Sequence, residues 1–132
     1  MRITGLYAAI AALLVVFLAV RVTLRRRAIG VGIGNGGDAT LARRVRAHAN
    51  ATEYLPLALL LLLILELDQT APLLLHVFGC LLILARLLHA FGLSTSQGVT
   101  PGRAVGISLT WLTVAAMALL LLWQTLAVWI LT

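Results

Sequence analysis

Four side chains suited to binding sit close together in the stretch RVRAHANATEYLP: Arg46, Asn50, Glu53 and Tyr54. On a helix turning roughly 100 degrees per residue they lie at about 0, 40, −20 and 80 degrees, a single stripe. Arg43 joins the stripe at about 60 degrees, whereas His48 faces nearly the opposite way. The set offers a guanidinium to grip a carboxylate and a carboxylate to receive an ammonium. Between them an amide and a phenol supply hydrogen bonds. A small zwitterion is the ligand this stripe suits; the plainer alternative is that Arg46 and Glu53 pair with neighbouring chains and fix packing. A second polar pair, Arg86 and His89 in LLILARLLHAFG, shares one face of a later segment. It either lines the same pocket or snorkels toward lipid headgroups.

The elements that hold these residues follow from composition. The chain is 132 residues long, 62% hydrophobic and 11% charged, with a mean hydropathy of +1.09. A soluble domain of this size cannot hide so much apolar surface. The apolar residues fall into long runs, which predict spans at 3–20, 47–67, 72–91 and 104–130 within a single domain, 1–132. The expected fold class is all-α, an integral membrane four-helix bundle. The first run reads as a retained span, because no small-x-small cleavage site precedes the arginines. RVTLRRR ends it, and a stretch with five glycines in thirteen residues follows as a flexible connection.

Asp38 is placed to cap a second helix over 39–67, and Pro56 is expected to interrupt it, removing one backbone hydrogen bond and kinking it. At 1.5 Å per residue that helix is about 43 Å long, more than the hydrocarbon slab, so its arginine-rich first turns should project from it. Trp129 fits an interfacial anchor, while Trp111 and Trp123 are either anchors or packing.

Ten arginines face four acids, with no lysine, for a formal charge of +6. Seven of the ten (Arg21, Arg25, Arg26, Arg27, Arg43, Arg44 and Arg46) lie between the first two apolar runs. They flank membrane spans instead of forming a basic face interleaved with aromatics, so nucleic acid is not an expected partner; the lipid bilayer is. The positive-inside rule puts loops one and three in the cytoplasm and both termini on the other side. An arginine at mid-membrane costs roughly 2.5–3.5 kcal/mol on insertion scales, less near the interface. The polar stripe should therefore face other helices, a partner subunit or a wet pocket.

Other patterns carry less. Gly32, Gly34 and Gly37 spell GxGxxG without a βαβ unit around them. The sequon at Asn50 lies on a helix, a poor acceptor, and the three histidines lack metal-ligand spacing, so no metal is expected. No acid pair or Ser-His-Asp set stands out. Cys80, the only cysteine, cannot form an intrachain disulfide and reads as buried filler.

RVRAHANATEYLP together with ARLLHAFG resembles the MAPEG family, membrane-associated proteins in eicosanoid and glutathione metabolism, and in particular its small bacterial members. The likeness covers essentially the whole chain, resting on the motifs RxxxNxxEYxP and A-R-x-x-x-x-x-G. It implies a homotrimer in a bacterial inner membrane that binds glutathione between subunits near the cytoplasmic side. On that likeness Arg46 grips a glutathione carboxylate, Asn50 bonds the peptide, Glu53 receives the γ-glutamyl ammonium and Tyr54 helps to hold the ligand. Arg86 is a further carboxylate partner, and Gly92 matches the glycine ending the third span.

His89 stands where better-known catalytic members have a tyrosine and joins the binding set; Leu93 replaces another tyrosine. The arginine that activates the thiol in some members is matched by Arg103 after a shift in the loop, with Arg86 next. The implied activity is a glutathione-dependent transferase or peroxidase. A bound thiolate, stabilised by cationic donors, would attack a lipophilic electrophile or hydroperoxide. The alternative is a non-catalytic ligand-binding or scaffold protein of the same fold, which the missing tyrosines favour.

Overall fold

The computed structural model describes residues 2–95 and 98–131, the side chains at 128, 129 and 131 excepted. Four helices follow in order: α1 (Arg2–Ile29), α2 (Ala39–Leu67), α3 (Pro72–Thr95) and α4 (Pro101–Leu131). All four are long and apolar enough to cross a bilayer. In lipid every backbone polar group must be satisfied internally, and an uninterrupted helix does this within each segment. The chain is a multi-pass membrane protein built as an all-α four-helix bundle.

α2 and α3 form its centre. Each packs against the other and against both outer helices, whereas α1 and α4 share no contact among the described residues. The seam is filled by small and branched side chains, among them Ala11, Ala47, Ala51, Leu55, Leu62 and Leu82. The outer faces carry bare leucines, such as Leu13 at 71% and Leu73 at 77% exposure. Water would penalise that surface; acyl chains do not.

Three helices run past their apolar runs. α1 continues through RVTLRRR to Ile29, α3 extends to Thr95, and α4 starts at Pro101. Hydropathy marks where a chain crosses the slab, not where its helix stops, and arginine is a good helix former. Gly30 then closes α1 at a φ of +67, the left-handed geometry that favours glycine after a helix end.

Asp38 caps α2 as its position implies, accepting from the Leu41 N–H at 2.5 Å. The same carboxylate takes Arg25 of α1 at 2.6 Å, so an ion pair closes the glycine-rich loop. α2 runs unbroken through Pro56.

At the far end Glu66 accepts from the N–H groups of Ile3 and Thr4 at 3.1 and 2.9 Å, two of the donors left free where α1 begins. Tyr7 lies buried against Gly79, where any Cβ would run into the phenol ring. The Tyr7 hydroxyl donates to the His76 carbonyl and sits 3.1 Å from Cys80 Sγ. Cys80 is thus not buried filler: it is exposed, because Gly79 occupies the seam and the next residue turns outward. Trp111 and Trp123 are 55% and 71% exposed, so neither is enclosed in the core of this chain. The Trp129 anchor lies outside the described side chains.

Candidate functional site

Arg86 organises the polar centre. It projects from α3 into the bundle with no exposed surface. One terminal nitrogen donates to Asn50 Oδ1 on α2 at 2.5 Å and the other to Thr110 Oγ1 on α4 at 3.3 Å. The Tyr54 ring lies 5.5 Å from the guanidinium carbon, a cation–π distance. Thr110 in turn donates to the Gly106 carbonyl at 2.8 Å. Arg86 therefore joins three helices and does not snorkel. Its Nε is buried without an acceptor, so the site is short of oxygen atoms, not of donors.

His89, one turn further along α3, is 4% exposed. Its Nδ1 lies 2.9 Å from the Arg103 carbonyl. A carbonyl only accepts, so Nδ1 carries the proton and Nε2 of the neutral ring is the acceptor. Two glycines permit this close α3–α4 approach. A Cβ on Gly106 would come within 2.5 Å of the His89 nitrogen, and one on Gly92 would strike the Arg103 nitrogen. Arg103 itself is half-buried in the first turn of α4. The positive fields of Arg86, Arg103 and Arg46 all reach His89.

The rest of the stripe faces outward. Arg46 donates to Glu53 Oε1 at 3.1 Å, two turns along α2, with the side chains 58% and 48% exposed. Glu53 remains within electrostatic reach of Arg86. Tyr54 sits on the border, half-buried, its hydroxyl accepting from Trp111 Nε1 at 3.0 Å. Beside Arg46 a groove of about 520 Å³ opens between the glycine-rich loop and α2, lined by Arg26, Asn35, Val45 and Ala49 among others.

The structure thus brings Asn50, Tyr54 and Arg86 together inside, pairs Arg46 with Glu53 outside, and sets His89 against the Arg103 backbone. Thr110 and Gly106 belong to the same centre and escaped the sequence reading, and Trp111, read there as an anchor or packing residue, borders it through Tyr54. Their signal was present: Gly106 and Thr110 are small residues four apart in an apolar run, the spacing that lets membrane helices approach closely. Among the described residues no group of three or more His, Cys, Asp or Glu side chains could hold a metal ion.

Four bilayer-length helices, three of them meeting at a buried arginine, with an ion pair on the outer face of the second, define a polytopic helical membrane protein with a charged centre at one end. The chain belongs to the MAPEG family, which matches residues 4–123. A search of curated proteins found no match. Membership supports a general glutathione-related role at the membrane, as enzyme or as ligand-binding protein.

Proposed function

We propose that the protein is a glutathione-dependent transferase or peroxidase acting on a lipophilic electrophile or hydroperoxide, as a homotrimer in a bacterial inner membrane with loops one and three cytoplasmic. The observation that carries this reading is the Arg46–Glu53 pair, opposite charges 3.1 Å apart on an exposed face. Such a pair contributes little to stability, yet it presents one partner for a carboxylate and one for an ammonium.

Asn50 supports the same reading. Its Oδ1 is taken by Arg86, which turns the amide's two N–H donors away from the guanidinium and frees them for a peptide carbonyl. Arg86 then acts on the ligand chiefly through Asn50 and through its positive field. His89 adds an acceptor at Nε2, and Tyr54 a hydroxyl. Arg103 is the cation left to stabilise a thiolate, which lowers the thiol pKa. That thiolate adds to an electrophilic carbon, or attacks a peroxide oxygen and releases the alkoxide.

One observation favours the non-catalytic alternative. Arg86 is engaged, His89 Nδ1 is committed to a carbonyl, and Leu93 offers no hydroxyl. The thiol-activating set shrinks to Arg103. Titrating the detergent-purified protein with glutathione, beside Glu53→Gln and Arg46→Ala, tests the shared step. Absence of binding in several lipid mixtures overturns both glutathione readings. Binding with a thiolate absorbance that disappears in Arg103→Ala supports the enzyme, and binding without thiolate selects the binder.

A further inference from the structure

The arginine-rich end contains more positive charge than its acids can balance. Among the described residues its carboxylates are Asp38 and Glu53, and each is held by one arginine, Arg25 and Arg46 respectively. Arg21 and Arg44 are bonded to neither acid among the described residues. Arg44 on α2 donates to the Arg21 carbonyl on α1 at 3.0 Å. Arg21 donates to Ser94 Oγ on α3 at 3.3 Å. Two arginines therefore tie α1, α2 and α3 together, the Arg44 guanidinium on the Arg21 backbone and the Arg21 guanidinium on Ser94. Both side chains are half-buried, and Arg44 Nε is enclosed without an acceptor.

Two cations on adjoining helices at a membrane edge, bonded to no acid among the described residues, favour a counter-charge from outside the chain. Depth identifies its source. Arg21 directly follows the apolar run of α1, and its guanidinium carbon lies 5.7 Å from the centre of the Phe17 ring. That ring is 57% exposed, on the surface that meets acyl chains. Arg21 thus spans the boundary between hydrocarbon and headgroups. One terminal nitrogen of each arginine is used within the protein, and the other faces no acceptor among the described residues. A phosphate diester at this level supplies oxygens in the spacing a guanidinium fork accepts.

We infer that Arg21 and Arg44, beside Ser94 at this membrane edge, hold the phosphate of an anionic phospholipid. This site is separate from the Arg46–Glu53 pair and does not depend on glutathione binding.

The test is lipid retention by native mass spectrometry. The full-length protein is offered an equal mixture of phosphatidylglycerol and phosphatidylcholine with the same acyl chains. The wild type should retain the anionic lipid preferentially. Arg21→Gln and Arg44→Gln should each lower the preference about fivefold, the size expected for one basic group at an anionic surface. Ser94→Ala keeps the net charge and releases only the Arg21 side chain, so a smaller loss, about twofold, is expected from the missing hydrogen bond. Arg27→Gln, which removes an exposed charge outside this site, should leave the preference in place.

Equal retention of the two lipids by the wild type overturns the inference. So does a loss in Arg27→Gln as large as in Arg21→Gln, which would mean diffuse charge, or an unchanged preference in Ser94→Ala. Displacement of the lipid by inorganic phosphate would also overturn it, marking a site for soluble anions.

Discussion

Asn50 and Arg86 meet across the α2–α3 seam, amide oxygen to guanidinium nitrogen at 2.5 Å, with neither side chain more than 7% exposed. This contact divides one polar stripe into two working halves. Inward, it satisfies a buried cation. Outward, Arg46 and Glu53 keep their charges where a ligand can reach them.

Because the amide oxygen is buried with the Arg86 guanidinium, Asn50→Leu should destabilise the bundle by about 2–3 kcal/mol, the cost of stranding a buried charged donor. Adding Arg86→Met should recover much of that loss, since no charge then remains to be satisfied. Unfolding titrations in mixed micelles compare the three proteins. Equal stability of Asn50→Leu and wild type would show that the contact is dispensable.

Gly106→Ala should separate α3 from α4. Its Cβ would lie 2.5 Å from the His89 nitrogen and 2.7 Å from the Ala85 oxygen, backbone atoms that cannot swing aside. A loss of about 1–3 kcal/mol is expected from such overpacking. Gly5→Ala meets nothing within 4 Å and should gain up to about 1 kcal/mol through helix propensity. Opposite shifts in melting temperature check the contrast.

Arg46→Ala and Glu53→Gln should leave stability within about 1 kcal/mol of wild type, because their ion pair is exposed. Their glutathione affinity should fall about tenfold or more, the scale of one lost charge-assisted hydrogen bond. Calorimetry and thermal melts on the same samples separate the two effects. A parallel loss of fold and affinity would assign the pair to packing.

Acid should act through the loop. The Arg25 guanidinium, with help from the Leu41 N–H, holds the Asp38 carboxyl down at about 2. An unfolded aspartate titrates near 3.9. The folded pKa is the lower one, so the stabilisation is fully present above roughly pH 4 and is lost as pH falls through about 2. The stability gap between wild type and Asp38→Asn, which keeps a capping side chain, should close over that window in pH-dependent melts.

Much of this was legible from residue order. Apolar runs disclosed the four helices, Asp38 after a glycine-rich stretch disclosed a cap, and the spacing from Arg46 to Tyr54 disclosed a polar stripe. Periodicity on one helix, however, cannot say where protein ends and its surroundings begin. Asn50 and Glu53 differ by only about 60 degrees on the wheel, yet the crossing of α3 buries the first and leaves the second open. Thr110 lies 24 residues from Arg86, and only the angle between α3 and α4 makes them partners. Cys80 turned outward for a similar reason: its neighbour Gly79 had to admit the Tyr7 ring.

Among the described residues α1 and α4 share no contact, and the partners of Arg86 come from α2 and α4. α1 is therefore an outrigger, braced against the central hairpin but absent from the arginine's seat. A change in bilayer thickness that tilts a peripheral helix would therefore strain the contacts of α1 with α2 and α3 before it reached any partner of Arg86.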